Sequence, residues 1–369
     1  MKKRILKFTA IVLFLALLTG CTGGSAKPAE TAKTADKPFA GQTLRIYNWG
    51  EYTGEDTLQN FEKLTGAKVV QDNFDSNEQM YIKVANGDAY DILVPSDYMI
   101  ERLIQEDRIV PLDQSRIHCM DLIADECKDL QYDPGNKYSV PYFWGNVGIV
   151  YNTAKVDEAD LEKEGFGIFL NQKYKGDIYL YDSERDAFMM ALKYLGYSMN
   201  TSDEKELQEA YEFLLEVVNT MKPEIVMDEI IDNMAQGRKA FGLIYSGDAT
   251  YVMDENEDMG YYVPESGTNV WCDAMVIPKN AENPDLAYEF INYVTGYEPA
   301  MDNSVTVGYT SPNKEVAGEL SGPGGQFEGI NAYIPEKGEN DEVFRYNEDQ
   351  RKIVSELWSK VKIAASNAG

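Results

Sequence analysis

From Thr43 onward the chain alternates short apolar runs with segments whose apolar residues recur at helical spacing. Thr43-Leu44-Arg45-Ile46-Tyr47-Asn48 reads as a strand, and Leu58, Phe61 and Leu64 then share one helical face that Gly66 closes. A strand is predicted around Lys68-Val69-Val70. A second helix carries Met80, Tyr81 and Val84 up to Gly87, and Tyr90 to Val94 follows as a buried strand. Strand and helix alternating in this way predict an α/β fold with a mostly parallel sheet.

The pattern returns further on. Asp177 to Tyr181 is a predicted strand and Phe188 to Leu195 a helix stopped by Gly196. Thr201 and Glu204 have the spacing of a capping box, opening a helix with Leu207, Tyr211, Leu214 and Val218 on one face before Pro223 halts it. Strands follow at Ala240 to Tyr245 and Val270 to Ile277, then a helix from Pro284 to Val294. No repeat of fixed period is visible. The late strand and helix imply that the chain passes more than once between two lobes, as a hinge requires.

The N-terminus carries a different pattern. Lys2, Lys3, Arg4 and Lys7 precede an apolar run from Phe8 to Leu18. At about eleven residues it falls short of the roughly 20 that a membrane-spanning helix needs, so it reads as a secretory signal. Leu18-Thr19-Gly20-Cys21 ends that run. Small residues before a single cysteine resemble the lipobox of bacterial lipoproteins, which implies a signal peptide over 1–20, cleavage before Cys21 and acylation of its thiol. Residues 22–40, rich in Gly, Ser, Ala, Lys, Thr and Pro, read as a tether. About 330 residues then remain, more than one core of roughly 100 to 200 residues serves, so two lobes are expected.

The formal charge is -28, and cleavage would deepen it by four. Such a field repels phosphate and makes nucleic acid an improbable partner. It concentrates cations, although secreted proteins are also acidic for solubility alone. Beyond Cys21 there are Cys119, Cys127 and Cys272, of which Cys119 and Cys127 could pair or stay free. With His118 the single histidine, neither a metal site nor a His-based triad has material to build from, and no cofactor is expected. Paired carboxylates leave a glycosidase or lyase as the enzymes still open. The chain reads as a binding protein.

Ligands of open α/β sheets bind beyond the carboxyl ends of the strands. Five such places look alike: Trp49-Gly50-Glu51-Tyr52, Pro95-Ser96-Asp97-Tyr98, Asp182-Ser183-Glu184-Arg185-Asp186, Tyr245-Ser246-Gly247-Asp248, and Trp271 with Asp273, which share one face of their strand. Rings and carboxylates recur together, and an alkyl diammonium needs both. Carboxylates neutralise its ends, ring faces cover its methylenes, and each cation–π contact adds about 0.5 to 2 kcal/mol. Plainer explanations exist for each residue singly. Ser183 and Asp186 have helix-cap spacing, Asp97 could cap the helix through Met99 to Leu103, Trp271 could be core, and Glu51 and Tyr52 could lie in a solvated loop. Aromatic platforms with acids also suit sugars, so a carbohydrate-binding lipoprotein is the nearest alternative.

At these residues the chain resembles the spermidine/putrescine-binding proteins of bacterial ABC importers. Further likeness lies in Asp75-Ser76-Asn77-Glu78-Gln79-Met80-Tyr81, Pro141-Tyr142-Phe143-Trp144-Gly145 and Val307-Gly308-Tyr309-Thr310-Ser311-Pro312-Asn313. The resemblance implies two α/β lobes of the periplasmic-binding-protein kind, 41–148 with 275–306 and 149–274 with 307–369, closing on ligand. It implies an aromatic box of Trp49, Tyr52, Tyr245, Trp271 and Tyr309, lined by Ser96 and Tyr98. Asp273 would be the central carboxylate, with Glu51, Asp186 and Asp248 as further acids. Three positions depart from the family: Ser183 where an aspartate is common, Gly50 where a hydrogen-bonding side chain stands, and Tyr245 for a tryptophan. The implied function is capture of putrescine or spermidine, with Ser183 and Asp248 leaning towards the diamine. A monomer, anchored through acylated Cys21 to the outer face of the cell membrane, would deliver it to the permease and ATPase of the importer.

Overall fold

The computed structural model describes residues 37–368. The signal segment, Cys21 and most of the expected tether lie outside the described residues. In the first stretch β1 (Thr43–Trp49), β2 (Lys68–Phe74) and β3 (Ile92–Leu93) alternate with α1 (Thr57–Thr65), α2 (Asn77–Ala85) and α3 (Asp97–Gln105). β1 pairs in parallel with both β2 and β3, as their order predicts.

The chain then runs through β4 (Ser139–Asn152), α4 (Glu158–Glu164), β5 (Ile178–Tyr181), α5 (Glu184–Leu195), α6 (Glu204–Glu216) and β6 (Glu224–Val226). Next come α7 (Glu229–Ala235), β7 (Phe241–Tyr245), α8 (Ser246–Glu255), β8 (Met259–Tyr262) and β9 (Val270–Val276). Four helices finish it: α9 (Pro284–Val294), α10 (Tyr297–Val307), α11 (Lys314–Ser321) and α12 (Glu348–Ala368). Strand order in the mixed sheet is β2-β1-β3-β9-β4-β7-β5-β6, with β8 also on β4.

β4 joins the two halves of this sheet. Its first residues pair antiparallel with β9, and its last pair antiparallel with β7 and β8. All 14 of its residues are buried. Pro141 has no N–H to give the ladder, and the register shifts between Pro141 and Phe143, which sets Phe143 opposite Asp273. The β5 half is again parallel, β5 pairing with β6 and β7. α5 is buried along most of its length, under α6 and α12, and ends at Gly196 in the left-handed conformation a helix stop favours.

Several expectations change. β3 is shorter than Tyr90 to Val94, although backbone bonds to β1 continue on either side, the Asp91 N–H donating to the Arg45 carbonyl at 2.8 Å and the Val94 N–H to the Tyr47 carbonyl at 3.1 Å. Tyr90 stacks on Tyr47 at 4.6 Å, while the two oxygens of Asp91 accept from the Arg45 N–H at 2.8 Å and the Asn283 N–H at 2.7 Å. α6 is capped by Asp203, which accepts from the N–H groups of Lys205 and Glu206, and not by Thr201 and Glu204 as a pair. Aspartate directly before the first turn is the better-placed acceptor. Phe39, assigned to the tether, packs on the core and donates its N–H to the Thr65 carbonyl at 3.1 Å, so the folded part starts earlier than 41. The expected boundary between 274 and 275 falls inside β9, which pairs with β3 and the first part of β4. Likewise α11 packs on α10, on the same side as that strand's half of the sheet. β4 and α12 were not anticipated as elements. Cys119, Cys127 and Cys272 are free and buried.

Candidate ligand-binding site

The strand ends of the two halves converge on one aromatic and acidic cluster. Tyr52, just past β1, donates its hydroxyl to Asp273 Oδ2 on β9 at 2.8 Å. Its own carbonyl accepts from the Tyr142 hydroxyl at 2.7 Å, which fixes the loop. The Tyr52 ring stands edge-on to Tyr309 at 5.4 Å and to Phe143 at 4.9 Å. Tyr309, between α10 and α11, donates to Asp248 Oδ1 at 3.0 Å. Trp271 lies 5.3 Å from Tyr309 and 6.2 Å from Tyr245, the last residue of β7. Tyr245 donates to Asp186 Oδ2 at 2.6 Å, and Tyr181, closing β5, packs edge-on to Tyr245 at 5.3 Å.

Local sequence explains these placements. Trp271 and Asp273 are two apart on β9 and so face the same way, while Cys272 between them turns to the other side. Ser183 caps α5 by accepting the Asp186 N–H at 3.4 Å, which leaves the Asp186 carboxylate free to turn inward. The plain cap and the inward acid therefore coexist. Gly247, in the first turn of α8, has the Tyr309 ring directly against it: a Cβ there would lie 1.4 Å from Tyr309 Cδ1. Only a residue without a side chain admits the ring.

The electrostatics follow from burial without counter-charge. Desolvation pushes Asp273 up to about 6, against the opposing hydroxyls of Ser96 and Tyr52. It pushes Asp248 up to about 7, against the Tyr309 hydroxyl and with help from the negative charge of Asp228. Burial raises Asp186 as well, relieved by Ser183, Tyr245 and, least, by Arg185. No lysine or arginine among the described residues forms an ion pair with any of the three. Two polar atoms of the cluster, Asp186 Oδ1 and Trp271 Nε1, are buried with no hydrogen-bond partner. Burying such groups unpaired is costly, and a donor-rich cation entering the cluster would supply Asp186.

The sequence-derived residues divide in space. Tyr52, Asp186, Tyr245, Asp248, Trp271, Asp273 and Tyr309 form the cluster, and Ser96 adjoins it through a bridge to Asp273. Trp49 instead leans on Phe74 at 4.5 Å, and none of its ring contacts reaches the cluster. Glu51 is exposed and has a φ of 51°, turning its side chain out of the buried set. Tyr98 lies beside the cluster and is covered by Arg185, whose guanidinium carbon is 3.7 Å from the ring centroid. Tyr181 and Phe143 join the cluster without having been singled out. Tyr181 closes a strand that the sequence predicts, whereas the place of Phe143 opposite Asp273 was legible only once the register of β4 was known.

The chain is similar to several known proteins. Residues 56–323 match the family described as bacterial extracellular solute-binding protein. The spermidine/putrescine-binding periplasmic protein of Salmonella typhimurium is 33% identical over 273 residues, 73% of this chain and 78% of that protein. Two solved structures are also similar. The substrate-binding protein PotD of a spermidine/putrescine ABC transporter from Streptococcus pneumoniae aligns with a TM-score of 0.76 at 39% identity, over 88% of this chain and 99% of its own. A putative spermidine/putrescine ABC transporter protein from Listeria monocytogenes aligns with a TM-score of 0.78 at 36% identity, over 87% and 99%. The match over residues 56–323, with relatives 33 to 39% identical, makes the chain a member of the bacterial extracellular solute-binding protein family.

Proposed function

We propose that this protein captures a polyamine, putrescine or spermidine, between the two halves of its sheet and hands it to an ABC importer. The observation that carries this reading is the set of Asp186, Asp248 and Asp273, desolvated among tyrosine and tryptophan rings with no lysine or arginine among the described residues in an ion pair with them. An ammonium group restores to each the charge partner that burial removed, and ring faces suit the methylene chain between two ammoniums. The relatives' names, spermidine/putrescine-binding, support the same ligand class over a sugar.

In this reading Tyr52, Trp271, Tyr245 and Tyr309 form the box, Asp273 takes one ammonium, Asp248 and Asp186 take the other, and Ser96 and Tyr98 line the first side. Trp49 and Glu51 stay at the rim. The lobes comprise about 37–144 with 270–334 and about 145–269 with 342–368, and rotate about β4 and the β8–β9 connection. The protein works as a monomer, tethered through acylated Cys21 to the outer face of the cell membrane, and its closed form docks on the permease. It performs no catalysis.

A thermal-shift panel followed by titration calorimetry tests the ligand class. Putrescine or spermidine should raise the melting temperature and bind at one site, whereas oligosaccharides should do neither. A sugar that binds while both polyamines fail would sink the reading.

A further inference from the structure

The loop that carries Tyr52 is held from outside the cluster, by α10. Asn303 Oδ1 accepts the Gly54 N–H at 2.7 Å and the Thr57 hydroxyl at 3.0 Å. Its neighbour Asp302 shares that hydroxyl at 2.7 Å and accepts the Asp56 N–H at 3.1 Å. The approach is close: a Cβ on Gly54 would overlap the Asp302 carboxylate, so the loop backbone runs directly against α10. Asn303, Thr57 and Gly54 are all buried. One residue further on, Ser304 donates its hydroxyl to the Tyr309 carbonyl, and Gly308 after α10 takes a φ of 83° that turns the chain into Tyr309. Three successive residues of one helix thus hold the backbone that presents Tyr52 and the backbone that presents Tyr309, whose rings meet edge-on at 5.4 Å.

We propose that Asn303 is a positioning residue of the ligand site, fixing the loop 50–57 so that the Tyr52 hydroxyl stays on Asp273 and the Tyr52 ring stays against Tyr309. The proposal rests on the polyamine reading for its ligand and adds what holds the site in shape. The Tyr52 carbonyl is held by the Tyr142 hydroxyl, and two residues later the chain depends on Asn303. Without that oxygen the Gly54 N–H is buried and unpaired, a cost the loop relieves by moving towards water. A wall displaced by about 1 Å no longer fits its ligand, because binding groups need support from the residues behind them. Asp273 registers the movement. Burial raises its carboxyl, and the hydroxyls of Ser96 and Tyr52 oppose the rise. The other titratable side chains acting with it are Tyr309 and, from α3, Asp97, neither of which supplies a positive charge, while Phe143 faces it from β4. Withdrawing the Tyr52 hydroxyl therefore raises Asp273 further, and a bound ammonium needs it ionised.

Putrescine calorimetry from pH 5 to 8 on the parent, Asn303→Leu and Asn303→Ala tests this. Both variants should lose about tenfold in affinity at pH 8, the scale of one net hydrogen bond. The pH at which affinity falls should also move up by about half a pH unit or more. That move should be no greater in Asn303→Ala combined with Tyr52→Phe than in Tyr52→Phe alone, since both act on one hydroxyl. Equal loss at every pH, or moves that add in the double variant, would make Asn303 a stability residue only and overturn the proposal. So would parent-like affinity in either folded variant. Carboxyl NMR of the ligand-free protein, with Asp273→Asn to assign the signal, reads Asp273 without any ligand. If the parent binds no polyamine, the ligand class is wrong; an Asp273 signal that titrates alike in the parent and in Asn303→Ala overturns the positioning role.

Discussion

Arg345 grips Glu101 with two hydrogen bonds, Nε to Oε2 at 3.0 Å and Nη2 to Oε1 at 2.6 Å, and so fastens the segment before α12 to α3. The Tyr346 N–H adds a third at 2.8 Å. Three residues earlier in the chain, Glu342 accepts from Lys193 of α5 and from the Met199 N–H and the Asn200 side chain beyond it. One short strap thus spans both halves of the sheet. Glu101 is nearly buried, while Arg345 is 39% exposed, so solvent screens part of the pair. Arg345→Ala is expected to destabilise the protein by about 1 to 3 kcal/mol, the range for a hydrogen-bonded charge, in urea unfolding. Loss below about 0.5 kcal/mol would mean that the backbone bond of Tyr346 suffices.

Asp273→Asn separates binding from folding. It removes a charge that burial already disfavours, so the ligand-free protein should melt no lower than the parent. Polyamine affinity should fall about 100-fold or more, because breaking a buried ion pair costs about 3 to 5 kcal/mol. Parent-like affinity in the variant would remove Asp273 from the site.

The raised acids make binding and stability respond to pH in opposite senses. In the free protein Asp248 titrates near 7 and Asp273 near 6, and a bound ammonium requires both ionised. Putrescine affinity should therefore be flat above pH 8. It should fall as pH drops through 7 and 6, steepening towards tenfold per pH unit for each carboxylate that must shed a proton. Unfolded aspartates titrate near about 3.9, so between pH 4 and 7 the folded state holds more protons than the unfolded one. The contribution of these groups to free-protein stability consequently rises as pH falls through 7 and is fully present near pH 4. Calorimetry and melting curves over pH 5 to 8 check both; a pH-independent affinity would contradict the unpaired acids.

Gly247→Ala tests the packing of the box. A methyl group there overlaps Tyr309, which must swing away and give up its bond to Asp248. Affinity should fall by at least tenfold as the ring leaves its place beside Asp248, read by calorimetry; a tighter or equal fit would show that Tyr309 is not a wall.

Much of the architecture was legible in the sequence because periodicity and burial agree where one face meets the core. Leu44 and Ile46 alternate along β1, and α9 spans the predicted Pro284 to Val294. β4 was not legible: it is buried on both faces, which removes alternation, and Pro141, Gly145 and Gly148 read as interruptions. α12 does carry its signal, with Val354, Leu357, Trp358 and Val361 buried at helical spacing.

The site was legible in part for a related reason. Strand-end pairs such as Trp271 with Asp273, and Tyr245 with Asp248, gather in space because the strands converge. Glu51 followed the same sequence logic, yet its backbone turns the side chain outward, which residue type alone does not reveal. The stacking of Arg185 on Tyr98 joins two elements from opposite halves of the sheet, and no local spacing encodes such a contact.

The position of β9 between β3 and β4 governs the order in which the molecule can assemble. The half that begins at the N-terminus stays incomplete until the chain has been made as far as Val276, because the strand that fills its gap comes late. The half built on the end of β4, by contrast, draws all its strands from the continuous stretch 139–262. That half in turn waits for α12, the last element, which packs on α5 and α6, so each half depends on chain made after β9 has crossed back with Trp271 and Asp273. The cluster therefore exists only where strands from both ends of the chain have come together, since Trp271 and Asp273 arrive on β9.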